Sequence, residues 1–136
     1  DYSFLNCRIE KDIVLERGPI GGLFTACHLF PNQPLLVLVC DMPSIPAGLL
    51  EELISKHDPK YVLTVYESPD FGIYPFPGIY HSNLHSELQL RLEMGNVSMT
   101  NLITEITQKM LIEMRSKLPY FDNINTKTDF ENLIDR

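Results

Sequence analysis

The sequence predicts an α/β protein built on a mostly parallel sheet. Residues 35–40 (LLVLVC) form a short unbroken apolar run, which is typical of a strand covered on both faces. A helical pattern precedes this run at residues 18–30, and another follows it at residues 44–57. A second strand is predicted at residues 60–66 (KYVLTVY). Helices and strands therefore alternate, as they do around a parallel sheet.

Composition favours a single domain over residues 1–136. The 44% hydrophobic content is enough for one core, and no apolar run approaches the roughly 20 residues of a membrane span. We therefore expect a soluble, cytoplasmic protein that does not associate with membranes. The formal charge of −7, with basic residues scattered singly, argues against nucleic-acid binding. Three cysteines (Cys7, Cys27 and Cys40) without CxxC spacing favour reduced, buried thiols over disulfides.

The helices on either side of the first strand carry start signals. Pro19 suits the first turn of the helix at residues 18–30. Ser44 is the expected N-cap of the second helix, with Pro46 in its first turn. The apolar positions of the two helices are predicted to face the core: Leu23, Ala26, Cys27 and Phe30 in the first, and Leu49, Leu50, Leu53 and Ile54 in the second.

Proline and glycine become frequent after the second predicted strand. Residues 67–78 hold three prolines and two glycines, which predicts a loop around a short extended piece. Residues 79–95 are predicted to form a helix that ends at Gly95, and residues 98–107 another. Residues 109–114 (KMLIEM) suit either a continuation of that helix or a late edge strand.

The end of the chain, residues 121–136, is predicted to be an extended segment followed by a last helix. Thr126 or Thr128 would cap that helix, because a threonine hydroxyl accepts hydrogen bonds from the first free backbone N–H groups. No internal repeat or low-complexity tract interrupts the chain. The pattern is that of one continuous α/β unit.

Asp41 follows the first strand directly, at the edge where open parallel sheets bind ligands. The residue could cap the following helix, since aspartate is a good cap. Ser44 lies closer to that helix, which leaves Asp41 available to bind a hard cation. Mg²⁺ favours one or two carboxylates together with phosphate oxygens. Both interpretations are open on spacing alone.

Two further features lie before the first strand. The GPIGG segment at residues 18–22 would let the backbone approach a ligand closely at a helix start, although as a bare glycine pattern it also suits a tight turn. Asp12 follows the short alternation at residues 7–9, at the end of another predicted strand. Acidic residues therefore follow two predicted strands.

Three segments together resemble a known family. They are D-x5-GPIGGL (residues 12–23), LLVLVCDMPSIPAGLLEELI (residues 35–54) and FDNINTKTDFENL (residues 121–133). Their order and spacing are similar to those of molybdenum cofactor guanylyltransferases, within a superfamily of Rossmann-like nucleotidyltransferases. The resemblance implies a three-layer Rossmann-like domain with a mostly parallel sheet. Residues 67–118 match only loosely.

The resemblance implies transfer of GMP from GTP to the phosphate of molybdopterin carrying molybdenum, with release of pyrophosphate. Asp41 resembles the family's catalytic, magnesium-binding aspartate, and Asp12 the acidic residue that recognises guanine. Gly18 and Gly22 resemble glycines that line the nucleotide pocket. The implied partners are GTP, molybdopterin and, transiently, other molybdenum cofactor proteins. The asparagines of the late segment, Asn123 and Asn125, resemble residues beside the active site.

Two departures from the family pattern bear on the function. Members open with a strand and a glycine-rich loop of the form LAGGxSxRMGxDK, which holds the triphosphate, and this chain has no such segment. We therefore expect the domain to be partial and to lack its first βα unit; the alternative is a noncatalytic domain that binds a nucleotide or a partner. Residues 96–99 (NVSM) replace arginines suited to the molybdopterin side, which leaves open another acceptor.

Two further groups of residues could contact a ligand. His81 and His85 are four apart on a predicted helix, but without a third ligand nearby an exposed helix face is the favoured interpretation over a metal site. Tyr74, Pro75 and Phe76 could line the acceptor pocket or pack on the sheet edge.

Overall fold

The computed structural model describes residues 4–114 and 126–134, and it contains a four-stranded sheet in the order β1-β3-β2-β4. β1 and β2 each pair antiparallel with β3, and β4 pairs parallel with β2. Three of the four strands therefore run in the same direction, as predicted for a mostly parallel sheet. The strands are β1 (Pro34–Val37), β2 (Leu63–Ser68), β3 (Gly72–His81) and β4 (Lys109–Glu113).

Five α-helices lie within the described residues: α1 (Gly18–Leu29), α2 (Ala47–Lys56), α3 (His85–Met94), α4 (Met99–Glu105) and α5 (Lys127–Ile134). A short 3-10 turn, Ser82–Leu84, joins β3 to α3. None of these helices combines the length and apolar character that a membrane crossing requires.

The sheet lies between two layers of helix. Val65 and Tyr80 belong to the larger core cluster, with apolar side chains of α1, α3 and α4. Tyr66 and Ile79, the next residues on the opposite face, pack with Leu53 of α2. Successive strand residues point to opposite faces, so one strand serves both clusters. This three-layer arrangement is the fold that the resemblance implied.

Local end signals predicted several element boundaries correctly. Gly95 closes α3 in the left-handed conformation with φ 73°, and Ser98 caps α4 by accepting a hydrogen bond from the Asn101 backbone N–H. Thr126 and Asp129 cap α5 reciprocally, each side chain accepting from the other's backbone N–H. The open choice at residues 109–114 is resolved in favour of an edge strand, β4.

The loop predicted at residues 67–78 is wrong, because β3 occupies most of it and continues to His81. The helix predicted from residue 79 therefore begins only at His85. The prolines are accommodated by a bulge: Val65 pairs with Gly78 and Tyr66 pairs with Tyr74, so residues 75–77 have no partner on β2. Prolines are tolerated at such positions because no ladder N–H is needed there.

A second group of predictions failed around the first strand. β1 ends at Val37 and lies at an edge of the sheet, half exposed, rather than running to residue 40 with both faces covered. β2 begins at Leu63 instead of residue 60. Helix α2 begins at Ala47 after Pro46, with no side-chain cap from the described residues, so Ser44 is not its N-cap. No strand precedes Asp12 in the described part of the chain.

The predicted apolar faces are partly correct. In α1 the buried side chains include Leu23 and Cys27 as expected, but Phe30 is 36% exposed and Phe24 is buried in its place. In α2, Leu53 is fully buried and Ile54 is 56% exposed. All three cysteines are free; Cys27 is buried, which raises the pKa of its thiol to about 11, whereas Cys7 and Cys40 are exposed.

Candidate functional site

A groove of about 590 Å³ lies between the start of α1 and the segment that follows β1. Its lining includes four of the sequence-predicted site residues, Asp12, Gly18, Gly22 and Asp41. These residues come from two parts of the chain that are about 20 to 30 residues apart, and the fold brings them to one place. The groove is the natural candidate for a ligand site, because pockets in such sheets form beyond the strand ends.

One wall of the groove is the first turn of α1. Gly18 has a positive φ of 57°, a conformation that glycine adopts without strain. Pro19 follows it in the first turn, where its missing N–H is not needed. The remaining first-turn N–H groups and the positive end of the helix dipole favour an anion at this position.

The Asp12 carboxylate lies against the same turn. A methyl group built on Gly22 would lie 3.7 Å from Asp12 Oδ1. The segment after Asp12 is tied to α1 by a buried hydroxyl: the Ile13 N–H donates to Thr25 Oγ1 (2.9 Å), which donates to the Gly21 carbonyl (3.0 Å). The exposed Asp12 carboxylate accepts no hydrogen bond from the described residues, so it is available to a ligand.

The opposite wall forms where β1 ends. Residues 37–41 line the groove after β1 leaves the ladder, opposite the bulge at residues 75–77 of β3. Phe76 projects from this bulge, is 6% exposed and lines the groove. The bulge is compact: Tyr80 Oη donates to the Pro75 carbonyl at 2.5 Å, and a methyl group on Gly78 would lie 2.6 Å from Tyr80 Cε2.

Asp41 is the most informative side chain of the groove. Its Oδ1 is buried and has no hydrogen-bond partner among the residues that the structure describes. A buried polar oxygen without a partner costs about 1–3 kcal/mol. Asp41 does not cap α2, since no side chain in the described region makes a capping bond there. The capping interpretation is therefore wrong, and the arrangement fits a carboxylate that binds a group from outside the chain.

The electrostatics of the groove favour a cation beside any phosphate. Among the described residues, its lining carries two carboxylates, Asp12 and Asp41, and no basic side chain. A triphosphate placed here would meet negative charge unless a metal ion accompanied it. Within the described residues no cluster of three or more His, Cys, Asp or Glu side chains could hold a metal by itself. Asp41 alone still fits magnesium, which commonly takes one or two carboxylates and completes its shell with phosphate and water.

Some predicted residues cannot be placed, and others were missed. Asn123 and Asn125 lie outside the described residues. Cys40 lines the groove and was not predicted as a site residue, whereas Phe76, predicted either to line the acceptor pocket or to pack on the sheet edge, also lines it. The aromatic residue among prolines was a usable signal for Phe76, whereas the position of Cys40 depends on where β1 ends.

The histidines and residues 96–99 are arranged differently from prediction. His81 ends β3 and accepts a hydrogen bond from the Asn83 N–H, while His85 begins α3, so the two do not share a helix face. His85 instead lies beside His28 of α1. Ser98 caps α4 and Met99 is buried, so this stretch supports the helix.

Comparisons with known proteins identify the family of this chain. Residues 1–109 match the family model of the MobA-like NTP transferase domain. A probable molybdenum cofactor guanylyltransferase of Flavobacterium johnsoniae is 31% identical over 133 residues, covering 98% of this chain and 70% of that protein. A protein of the same name from Carboxydothermus hydrogenoformans is 25% identical, with the same coverage.

Solved structures share the fold. A putative protein from Aquifex aeolicus matches with a TM-score of 0.76 at 23% identity, over 93% of this chain and 66% of that one. This chain thus spans about two thirds of the length of the proteins it matches. Motifs, fold and matched family model agree, and the chain belongs to the MobA-like NTP transferase domain family, a family of nucleotidyltransferases.

Proposed function

We propose that this protein is a molybdenum cofactor guanylyltransferase, which transfers GMP from GTP to the phosphate of molybdopterin carrying molybdenum. A phosphate oxygen of molybdopterin attacks the α-phosphorus of GTP, and the bond from that phosphorus to the β-phosphate bridging oxygen breaks. The products are the guanine dinucleotide cofactor and pyrophosphate. The names of the relatives support this choice of substrates. The observation that carries it is the buried Oδ1 of Asp41, which has no partner in the described part of the chain and lies in a groove shared with Asp12.

The chain's own residues have distinct roles in this proposal. Asp12 accepts hydrogen bonds from the ring N–H and exocyclic amine of guanine, which a carboxylate can do simultaneously. Gly18 and Gly22 have no side chains to project into the groove, so the nucleotide can lie against the backbone of α1. Such a reaction depends mainly on positioning and charge stabilisation, so no covalent nucleophile from the protein is needed.

Asp41 is the residue that would hold magnesium. A magnesium ion bound there would neutralise charge on the α-phosphate and on the leaving pyrophosphate. Its carboxylate supplies the hard oxygen ligand that magnesium prefers. The buried Oδ1, which has no hydrogen-bond partner among the described residues, would be available to the ion. We further propose that the protein acts in the cytoplasm, where it contacts other molybdenum cofactor proteins transiently.

The test is calorimetric titration of GTP into the protein, with and without magnesium, on the wild type and on Asp41→Asn and Asp41→Ala. We expect magnesium-dependent binding of GTP, in preference to ATP, that is lost in both variants. We also expect Asp41→Ala to unfold at an unchanged or higher denaturant concentration, because the change removes an unsatisfied buried oxygen.

A capping role would give the opposite pattern. Loss of a helix cap lowers stability by about 1 kcal/mol and leaves nucleotide affinity intact. Asp12→Asn is the matched test of base recognition: it should reduce the preference for GTP over ATP while magnesium dependence persists. Equal binding of GTP by the wild type and Asp41→Asn would refute the proposed magnesium role.

A further inference from the structure

A second groove, of about 390 Å³, lies at the far end of α1, where two histidines from different helices meet. His28 is in the last turn of α1 and His85 is the first residue of α3. His28 Nδ1 lies 3.3 Å from His85 Nε2, and the ring centroids are 5.4 Å apart. Both rings line the groove, and His28 is exposed to solvent. Two imidazole nitrogens therefore converge at an accessible surface.

The separation of these nitrogens suits a shared metal ion. Zinc binds histidine nitrogen at about 2.0–2.1 Å, so two such ligands at a tetrahedral angle lie roughly 3.4 Å apart. The observed 3.3 Å is close to that value. Without an ion, the same two nitrogens lie within hydrogen-bonding reach of each other, so a bound ion would replace that contact.

The two rings are held in place before any ion binds. His85 stacks on Phe24 of α1 with a centroid distance of 4.7 Å and an interplanar angle of 24°. α1 and α3 pack together through one buried cluster that includes Phe24, Cys27 and Leu88. A site built on packed helices binds a metal with little reorganisation.

We propose that His28 and His85 together bind one divalent transition-metal ion of the kind that prefers imidazole, with Zn²⁺ as the representative, and that water or a polar groove residue completes its coordination. Imidazole favours zinc, copper and nickel, whereas magnesium prefers oxygen. The ion would join the last turn of α1 to the start of α3 and so stabilise the packed helices.

This site is separate from the Asp41 groove. Gly18 and His28 are ten residues apart on α1, which corresponds to roughly 15 Å along the helix axis. In the part of the chain that the structure describes, the linings of the two grooves share no residue. The inference therefore holds independently of the proposed nucleotidyl transfer.

The test is zinc titration of the protein without a histidine tag, by calorimetry and thermal unfolding. His28→Gln and His85→Gln are each expected to weaken zinc binding by at least about tenfold. Zinc should raise the midpoint of thermal unfolding in the wild type and lose this effect in both variants. His81→Gln is the matched control, because His81 bonds to the Asn83 N–H and is not part of the pair.

The exposed thiols of Cys7 and Cys40 are present in all of these proteins, so any zinc that they bind is common to every titration. Nitrogen-15 NMR of the imidazole rings of the wild type gives a readout that needs no variant. Zinc should shift the ring signals of His28 and His85 and leave those of His57 and His81 in place. Unchanged His28 and His85 signals, or equal zinc affinity in both variants and the wild type, would overturn the proposal.

Discussion

Replacing Gly22 with alanine separates the stability of the fold from nucleotide binding. Gly22 lies within α1, where alanine is favoured over glycine by about 0.5–1 kcal/mol. Among the described residues, the added methyl group would meet only Asp12 Oδ1, at 3.7 Å, which is an ordinary van der Waals distance. We therefore expect Gly22→Ala to raise the free energy of unfolding by about 0.5–1 kcal/mol.

The same methyl group would project into the groove that we propose for GTP. Crowding a packed contact by one methyl group costs about 1–3 kcal/mol, which corresponds to about 5- to 150-fold in Kd. The assays are urea unfolding with linear extrapolation and calorimetric titration of GTP with magnesium. A variant that is more stable and binds GTP more weakly supports the site. Unchanged GTP affinity would refute the placement of the nucleotide against Gly22.

Two other glycines, Gly48 in α2 and Gly21 in α1, provide the controls. Gly48 is exposed in the first turn of α2 with open space around it, so Gly48→Ala should change stability slightly and leave GTP affinity unchanged. In Gly21→Ala the new methyl group would lie 2.9 Å from the Val14 carbonyl oxygen and 3.2 Å from Arg17 Cβ. That backbone contact must open, so we expect a loss of about 1–3 kcal/mol despite the helix preference. A gain in stability on Gly21→Ala would contradict the packing of the Asp12 segment on α1.

Three further outcomes are expected. GTP with magnesium should slow alkylation of Cys40, which lines the groove, and leave alkylation of Cys7 unaffected. The alkylation rates are measured by mass spectrometry, and equal rates for Cys40 with and without GTP would count against the site. Burial lowers the pKa of His57 in the folded protein. As the pH drops through the ordinary value of 6.5, the imidazole is therefore protonated in the unfolded state before the folded state, and the free energy of unfolding decreases. In His57→Gln, unfolding curves recorded between about pH 5 and pH 8 should no longer show this decrease in stability. Glu105→Gln should cost about 1 kcal/mol, because the buried Arg91 guanidinium loses a charged partner 2.5 Å away. The same change in an Arg91→Met background should have no effect in urea unfolding.

The parts of the fold that were predictable are those with local causes. Gly95, Ser98 and Thr126 end or begin helices through backbone groups within a few residues of them, so sequence alone was sufficient. β3 was missed because its prolines are characteristic of a loop, and only pairing with β1 and β2 makes the segment a strand. Tertiary pairing overrides local preference in such cases.

The candidate site also has features that the sequence predicted and features that only the packed structure shows. That Asp12 and Asp41 share a groove followed from the family resemblance, since no periodicity relates residues so far apart. Phe76 enters the groove through an unpaired bulge, whose position depends on the register between β2 and β3. His28 and His85 are 57 positions apart, and their contact depends on how α1 packs on α3. Contacts of this kind are fixed by packing and leave no pattern in a short window of sequence.

The segment between β1 and α2 is built less favourably than the sequence would allow. Ser44 and Asp41 are both residue types that cap helices well, yet neither caps α2 in the described structure. The absent cap costs about 1 kcal/mol of stability. The Asp41 oxygen, which has no partner among the described residues, costs about 1–3 kcal/mol more. Departures from local optimisation concentrate where a site must meet a ligand. A cation held by Asp41 would offset this cost on binding, so ligand and segment should stabilise each other.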